Sequence, residues 1–202
     1  MSNAPKVVVW DIGNVLLDWS PDYLYNRLIP DEAARADFFA RLPFDEMNLA
    51  GDRDGDLEAK VAGMADRYPE DAMLILPWWA GWDRMVGGLI AASVALRDSL
   101  RARGVPCWAL SNFAADSWER AATMMPELTA FDGLIISGRE RMVKPDDAFF
   151  ALAEQRFGQT GADIFFIDDR AANIEAAKAR AWRGHMFETP GGLAQALGEV
   201  GL

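Results

Sequence analysis

Four short polar stretches of this chain carry residue types that do chemistry when they meet: Asp11-Ile12-Gly13-Asn14, Ser111-Asn112, Lys144-Pro145 and Asp168-Asp169. Each has an ordinary explanation by itself, since an Asp after a strand often caps a helix, Ser-Asn forms turns and Lys-Pro precedes many helices. Their joint order is harder to dismiss, because each follows an apolar run and together they bring carboxylates, a hydroxyl and an ammonium to one edge. A buried acidic pair such as Asp168-Asp169 is costly unless a cation or hydrogen bonds compensate it, and Asp11 adds a third charge. Three carboxylates at one place predict a hard divalent cation, foremost Mg2+.

The elements that must position these groups are legible as apolar runs bounded by turns, at Val7 to Trp10, Val105 to Leu110, Leu134 to Ile136 and Ile164 to Ile167, with a weaker one near His185 to Phe187. Between them lie helical patterns. Leu89, Ile90, Val94, Leu96 and Leu100 form a stripe that Gly104 stops, Asp146 is placed to cap a helix ended by Gly158, and Ile174, Ala177 and Ala181 mark another. Strand, helix and strand in alternation predict an α/β fold, a Rossmann-like three-layer sandwich whose parallel central sheet is covered on both faces. Residues 20–84 carry helical stretches such as "PDYLYNRLI", "DEAARADFFARL" and "GDLEAKVAGMADRY" without a convincing strand. They read as a helical cap inserted after the first strand, leaving residues 1–19 and 85–202 as the catalytic core. Ligands of open α/β sheets sit beyond the carboxyl ends of the strands, so an insertion leaving that edge would hang over the site.

Composition narrows the function. A formal charge of -11 argues against nucleic acid and anionic membranes as partners, because both need a basic surface. Cys107 is the sole cysteine, so no intramolecular disulfide or cysteine zinc cluster forms, and a reducing cytoplasm is expected. No apolar run has the length of a membrane span, and "MSNAPK" lacks the apolar stretch of a signal peptide. Its "SNA" is either native or a cloning remnant. The expected partner is a small phosphorylated metabolite, with the chain a monomer or weak homodimer.

Asp11-x-Gly13-x-Val15, Ser111-Asn112, Lys144-Pro145 and Asp168-Asp169 resemble the four ordered motifs of the haloacid dehalogenase-like hydrolases. The stretches "DIGNVLLDW", "LSN", "KPD" and "FFIDDRAANIEAA" are most similar to the sugar phosphatase branch that includes the α-D-glucose-1-phosphate phosphatase. The resemblance covers the core from about Lys6 to Phe187, and the position of the insertion matches the helical-cap subclass. It implies that Asp11 is a nucleophile that forms an aspartyl-phosphate. It further implies that the Gly13 backbone carbonyl, Asp168 and Asp169 join Asp11 in holding Mg2+. Ser111 and the Asn112 amide would grip phosphate oxygens, and Lys144 would neutralise charge on the transferring group. Asn173 is placed to orient the acidic pair.

One departure stands out. Many phosphatases of that superfamily carry an acid/base aspartate two residues after the nucleophile, where this chain has Gly13. General acid/base catalysis contributes about 10²- to 10⁴-fold, so its loss favours esters whose leaving oxygen needs little protonation, such as sugar 1-phosphates. Asp18 is a candidate substitute acid, or else part of the flap that leads into the cap. In the cap, "PWWAGWDRM" offers Trp82 and Arg84 to a substrate, against a reading in which its aromatics pack the module. "NLAGDRDGD" reads as a solvated turn from which Asp52 and Arg53 point to the cleft. His185, the sole histidine, reads as structural. Two other functions stay open: a haloacid dehalogenase that works through an aspartyl ester without metal, and a catalytically weak phospho-ligand binding or regulatory protein.

Overall fold

The computed structural model describes residues 4–202; Ser2 and Asn3 of the "SNA" stretch lie outside the described residues. Five strands form one parallel sheet: β1 (Val7–Trp10), β4 (Cys107–Ser111), β5 (Gly133–Ile136), β6 (Ile164–Asp168) and β7 (Arg183–Met186), in the order β5-β4-β1-β6-β7. Residues alternate between the two faces along each strand, and both faces are apolar. Val8 and Trp10 join one buried cluster with Cys107, Ala109, Phe165 and Ile167, whereas Val7 and Val9 join another with Leu110, Phe149, Phe150, Phe166 and Trp182. Two covered faces are what a parallel sheet with helical crossovers requires, which is why β1 reads as an unbroken apolar run. The crossovers are α7 (Ala91–Ala102), α8 (Ala115–Met124), the short α9 (Ser137–Glu140), α10 (Asp147–Phe157) and α11 (Ala171–Ala179), with α12 (Pro190–Glu199) closing the chain.

The expected α/β sandwich is thus present. The chain leaves β1, builds β4 and β5 to one side, and returns to place β6 and β7 on the other, so the strand order reverses at β1. That reversal opens the crevice in which ligands of such sheets bind.

An antiparallel ribbon of β2 (Leu17–Trp19) and β3 (Val86–Leu89) forms the stalk of the inserted segment. Beyond it lie α1 (Asp22–Leu28), α2 (Glu32–Arg41), α3 (Phe44–Asp54), α4 (Leu57–Arg67) and two single turns, α5 (Ala72–Ile75) and α6 (Pro77–Ala80). Asp31 and Asp56 cap α2 and α4 by accepting the Ala34 and Ala59 N–H groups. The interior of this module is aromatic: Tyr25, Phe38, Phe39, Phe44 and Trp78 pack ring to ring, with Phe44 and Trp78 stacked at 4.7 Å.

Three expectations need correction. "NLAGDRDGD" is not a turn: residues 48–54 belong to α3, where Phe44, Met47 and Gly51 form a buried stripe at helical spacing. Burial of that stripe outweighs the weak helix propensity of Asn, Gly and Asp. Leu89 belongs to β3, paired with Leu17, and α7 begins only at Ala91. Asp146 stands at the N-cap position of α10 without a side-chain cap bond, because its carboxylate takes Arg53 of α3 at 3.1 Å. Among the described residues no helix is long and apolar enough to cross a membrane.

Candidate active site

Strand register brings the polar stretches together. Trp10 lies opposite Ala109 of β4 and Ile167 of β6, so the next residues on the three strands, Asp11, Leu110 and Asp168, emerge side by side, with Ser111 one step further. Ser111 Oγ donates to Asp11 Oδ1 at 2.7 Å, and the Ile12 N–H donates to the same oxygen at 2.7 Å. Lys144 arrives from the loop before α10. Its ammonium donates to Leu110 O at 2.8 Å and Asp168 Oδ2 at 2.7 Å, and lies 3.0 Å from Asp11 Oδ1. Three N–H donors thus meet three acceptors, and the cation is fully buried but fully engaged. Burial by itself would depress the Lys144 pKa, yet the Asp11 and Asp168 carboxylates hold it above its ordinary value.

Asp168 is bonded from every side. Lys144 and Asn173 serve Oδ2, while the Arg170 N–H and Asn173 Nδ2 serve Oδ1 at 2.8 and 2.9 Å. Asn173 therefore holds Asp168, half of the acidic pair. Asp169 is half-buried and bonded by the Asn14 side chain; burial and the neighbouring Asp168 raise its pKa. Asn14 sits in the left-handed region at φ 54° and also accepts the Trp19 N–H, so one carboxamide joins the flap to the acidic pair. Burial pushes Asp11 up as well, against the opposing pull of Lys144.

Asp11, Asp168 and Asp169 offer oxygens that all lie within 4.8 Å of one another. This hard-oxygen donor set fits a divalent cation, with Asp11 and Asp169 the less engaged ligands and Asp168 bound to four protein contacts. The Asn112 side chain has a task of its own beside the one expected of its amide. Its carboxamide pairs with the Lys144 backbone, accepting N–H at 2.7 Å and donating to the carbonyl at 2.9 Å, so it fixes the lysine that faces Asp11.

These groups open into a cavity of about 570 Å3, lined on the core side by Asp11, Gly13, Asn112, Lys144, Asp169 and Arg170. Its other wall is the inserted module: Trp19, Asp45, Glu46, Asp52, Trp78 and Trp82. Asp52 of α3 is held there by Asn48 Nδ2 at 3.3 Å, and Asn48 in turn accepts the Trp78 indole N–H at 3.3 Å. Burial pushes the Asp52 carboxyl up to about 7. Trp82 both packs on Phe113 and lines the cavity.

The other cap candidates are not brought in. Asp18 accepts the Tyr23 hydroxyl at 2.8 Å on the outer ribbon, Arg53 pairs with Asp146, and Arg84 is exposed on the 3-10 turn Trp82–Met85; none of the three lines the cavity. His185 lies over Phe165 on β7, away from the site. Residues that the sequence reading passed over are Asn14, Trp19, Asp45, Glu46, Asn48, Phe113 and Arg170. Asn48 was recoverable: once 44–54 is read as a helix, it stands one turn before Asp52.

A family model of haloacid dehalogenase-like hydrolases matches residues 85–179. Among curated proteins, a sesquiterpene phosphatase of Aspergillus oryzae is 30% identical over 89 residues, which are 44% of this chain and 45% of that protein. An (S)-2-haloacid dehalogenase of Pseudomonas putida is 35% identical over 78 residues, 39% of this chain and 34% of the dehalogenase. The chain thus spans less than half the length of these relatives. Among solved structures, a family enzyme of Bacteroides thetaiotaomicron in complex with magnesium and inorganic phosphate superposes with a TM-score of 0.69. It is 18% identical, over 92% of this chain and 95% of the other.

Proposed function

We propose that the chain is a haloacid dehalogenase-like hydrolase and, within that family, a Mg2+-dependent phosphatase acting on a small phosphate monoester. The observation that carries the proposal is the balance of charge at the strand edge. Three clustered carboxylates face one buried ammonium, so an anionic substrate would be repelled unless a divalent cation joins them. Asp11, Asp169, the Gly13 carbonyl and Asp168 would hold that ion, which supplies charge neutralisation at the phosphoryl oxygens when bound. The Bacteroides enzyme crystallised with magnesium and phosphate supports the same reading.

Asp11 attacks phosphorus with a carboxylate oxygen, and water hydrolyses the resulting aspartyl-phosphate. Ser111 and the Ile12 N–H fix one oxygen of Asp11, which orients the other for attack. Lys144, pinned between Asp11 and Asp168, opposes the effect of burial on the Asp11 carboxyl and places positive charge against the transferring group. Trp19, Trp78, Trp82 and Phe113 give the organic part of the substrate an apolar wall, while Asp45 and Glu46 accept hydrogen bonds from hydroxyls. A sugar phosphate presents both kinds of surface. The sesquiterpene phosphatase relative makes isoprenoid phosphates the other class to compare.

The dehalogenase reading keeps one favourable observation, the shared segment with the Pseudomonas enzyme. Phosphate release and halide release from a panel of sugar, isoprenoid and alkyl phosphates and 2-haloacids, with and without EDTA, separate the two. EDTA-sensitive phosphate release is expected; metal-independent halide release would overturn the phosphatase.

A further inference from the structure

The place where many related phosphatases carry an acid/base is empty of side chain here. A Cβ built on Gly13 meets nothing within 4 Å, so the cavity is open above the nucleophile. The opposite wall carries three carboxylates; Asp45 and Glu46 are exposed, whereas Asp52 is half-buried and is itself tied down at three points. Asn48 donates to its carboxylate at 3.3 Å, the Ala114 main-chain N–H donates to it as well, and Ser137 Oγ donates to its backbone carbonyl at 2.8 Å. The end of α3 is seated on the core without slack. Gly55, in the left-handed region at φ 83°, would place a Cβ 2.5 Å from Gly138 O, and Gly138 would place one 2.5 Å from Ala115 N. An inserted module that docks this closely has a reason to hold one particular side chain at the site.

We infer that Asp52 is the general acid and base of the reaction, a catalytic residue supplied by the cap in place of the side chain that residue 13 lacks. This rests on the phosphatase reading above. In the first step an Asp11 oxygen bonds to phosphorus and the bond from phosphorus to the ester oxygen breaks. The Asp52 carboxyl proton passes to that oxygen, so a neutral alcohol leaves and Asp52 becomes a carboxylate. In the second step water gives a proton to Asp52 as its oxygen bonds to phosphorus. The bond between phosphorus and Asp11 then breaks, inorganic phosphate departs, and Asp52 is protonated again.

The surroundings of Asp52 suit both directions of transfer. Burial pushes its carboxyl up to about 7; the Ala114 N–H lowers it, Asp11 at the end of β1 raises it, and Arg170 after β6 and Lys144 before α10 lower it. From the other packed elements, α9 brings Ser137 and α4 brings Leu57 against Gly51, both uncharged. A carboxyl poised near neutrality is half acid and half base at working pH. Asn48 and Trp78 act as positioning residues, through the chain of hydrogen bonds that ends on Asp52.

The test uses the Mg2+-loaded full chain and two probes, p-nitrophenyl phosphate, whose phenolate leaves without protonation, and phenyl phosphate, whose oxygen needs a proton. The readout is kcat/KM between pH 5 and 9, which reports the step that expels the alcohol. Asp52→Asn is expected to lower kcat/KM for phenyl phosphate about 10²- to 10⁴-fold and for p-nitrophenyl phosphate less than about tenfold. It should also erase the fall in kcat/KM above pH of about 7 that the wild type shows for phenyl phosphate. Adding Gly13→Asp to Asp52→Asn should restore phenyl phosphate turnover, since residue 13 has room for the side chain. Asp52→Ser is read the same way if the Asn variant is insoluble. Equal losses on both esters with the alkaline limb retained, or no loss at all, would overturn the role of Asp52 alone. A wild type that releases phosphate from neither ester would overturn the phosphatase reading and Asp52 with it.

Discussion

The two walls of the cavity are built on different terms. The core wall is a sheet edge, where register alone sets Asp11, Ser111 and Asp168 side by side and Lys144 ties the two carboxylates together at 2.7 and 3.0 Å. The cap wall is a helix face and an aromatic cluster, where Trp78 and Trp82 are placed by ring packing and Asp52 by the docking of α3 on the core through Ser137 and Gly55. On the proposed reaction the first arrangement serves any substrate alike, because the phosphoryl group is the same in each. The second rests on side-chain identity in a helix face, which on the proposed reaction meets the leaving group, the part that differs between substrates. A site divided in this way keeps its nucleophile and cation chemistry in the strands and leaves selectivity to an inserted module.

The largest effect is expected at Asp11, the nucleophile of the proposed reaction. Asp11→Asn is expected to reduce phosphate release by about 10⁴-fold or more while leaving Lys144 paired with Asp168 and the fold intact; phosphate assays with circular dichroism check both halves. Removal of the metal by EDTA should match it, reversed by added Mg2+. Lys144→Met tests how far the core wall depends on its cation. It strands Asp11 and Asp168 as buried carboxylates and should cost about 3 to 5 kcal/mol in urea unfolding. Equal stability of that variant would show the buried network to be slack.

The cap wall should answer in smaller steps. Phe44→Ala empties the stacked contact with Trp78 beneath α3 and is expected to cost about 3 kcal/mol, with loss of turnover through Asp52. For Asp52 itself, the folded pKa of about 7 lies above the ordinary 3.8, so the folded state keeps a proton that the unfolded chain releases. The associated stability is full below pH 3.8 and is lost as pH rises through about 7. Asp52→Asn should therefore raise the melting temperature of the metal-free protein by about 10 °C at pH 8 and leave it unchanged near pH 3.5. A shift of the same size at both pH values would contradict this. Arg53→Ala breaks an ion pair whose partners are 48% and 50% exposed, and should change stability by less than about 1 kcal/mol. A larger loss would mean that the cap is clamped by charge rather than by packing.

Legibility follows the same division. The strands Val7–Trp10 and Ile164–Asp168 could be read because two covered faces leave long apolar runs, and the polar residues that end them stand out. The helix Phe44–Asp54 could not, because its Asn, Gly and Asp residues speak for a turn and only the buried stripe of Phe44, Met47 and Gly51 makes it a helix. Asp18 and Arg84 looked as eligible as Asp52 for the same reason: nothing local says which side of a cap residue faces the core. The double role of Asn112 and Asn14, each holding a neighbour of the acidic cluster, was equally hidden, since both bonds cross between elements.

The sequence by itself determined the sheet, the order of its polar strand ends and the acidic cluster. A parallel sheet fixes which residues become neighbours once its strands are known, and register carries the side chains with it. Only the tertiary structure decided which cap residue enters the cavity. Gly55 against Gly138, Ser137 on the Asp52 backbone and Trp78 on Asn48 together turn one face of α3 inward. Helix docking depends on contacts made far along the chain, and no spacing within residues 44–54 encodes them.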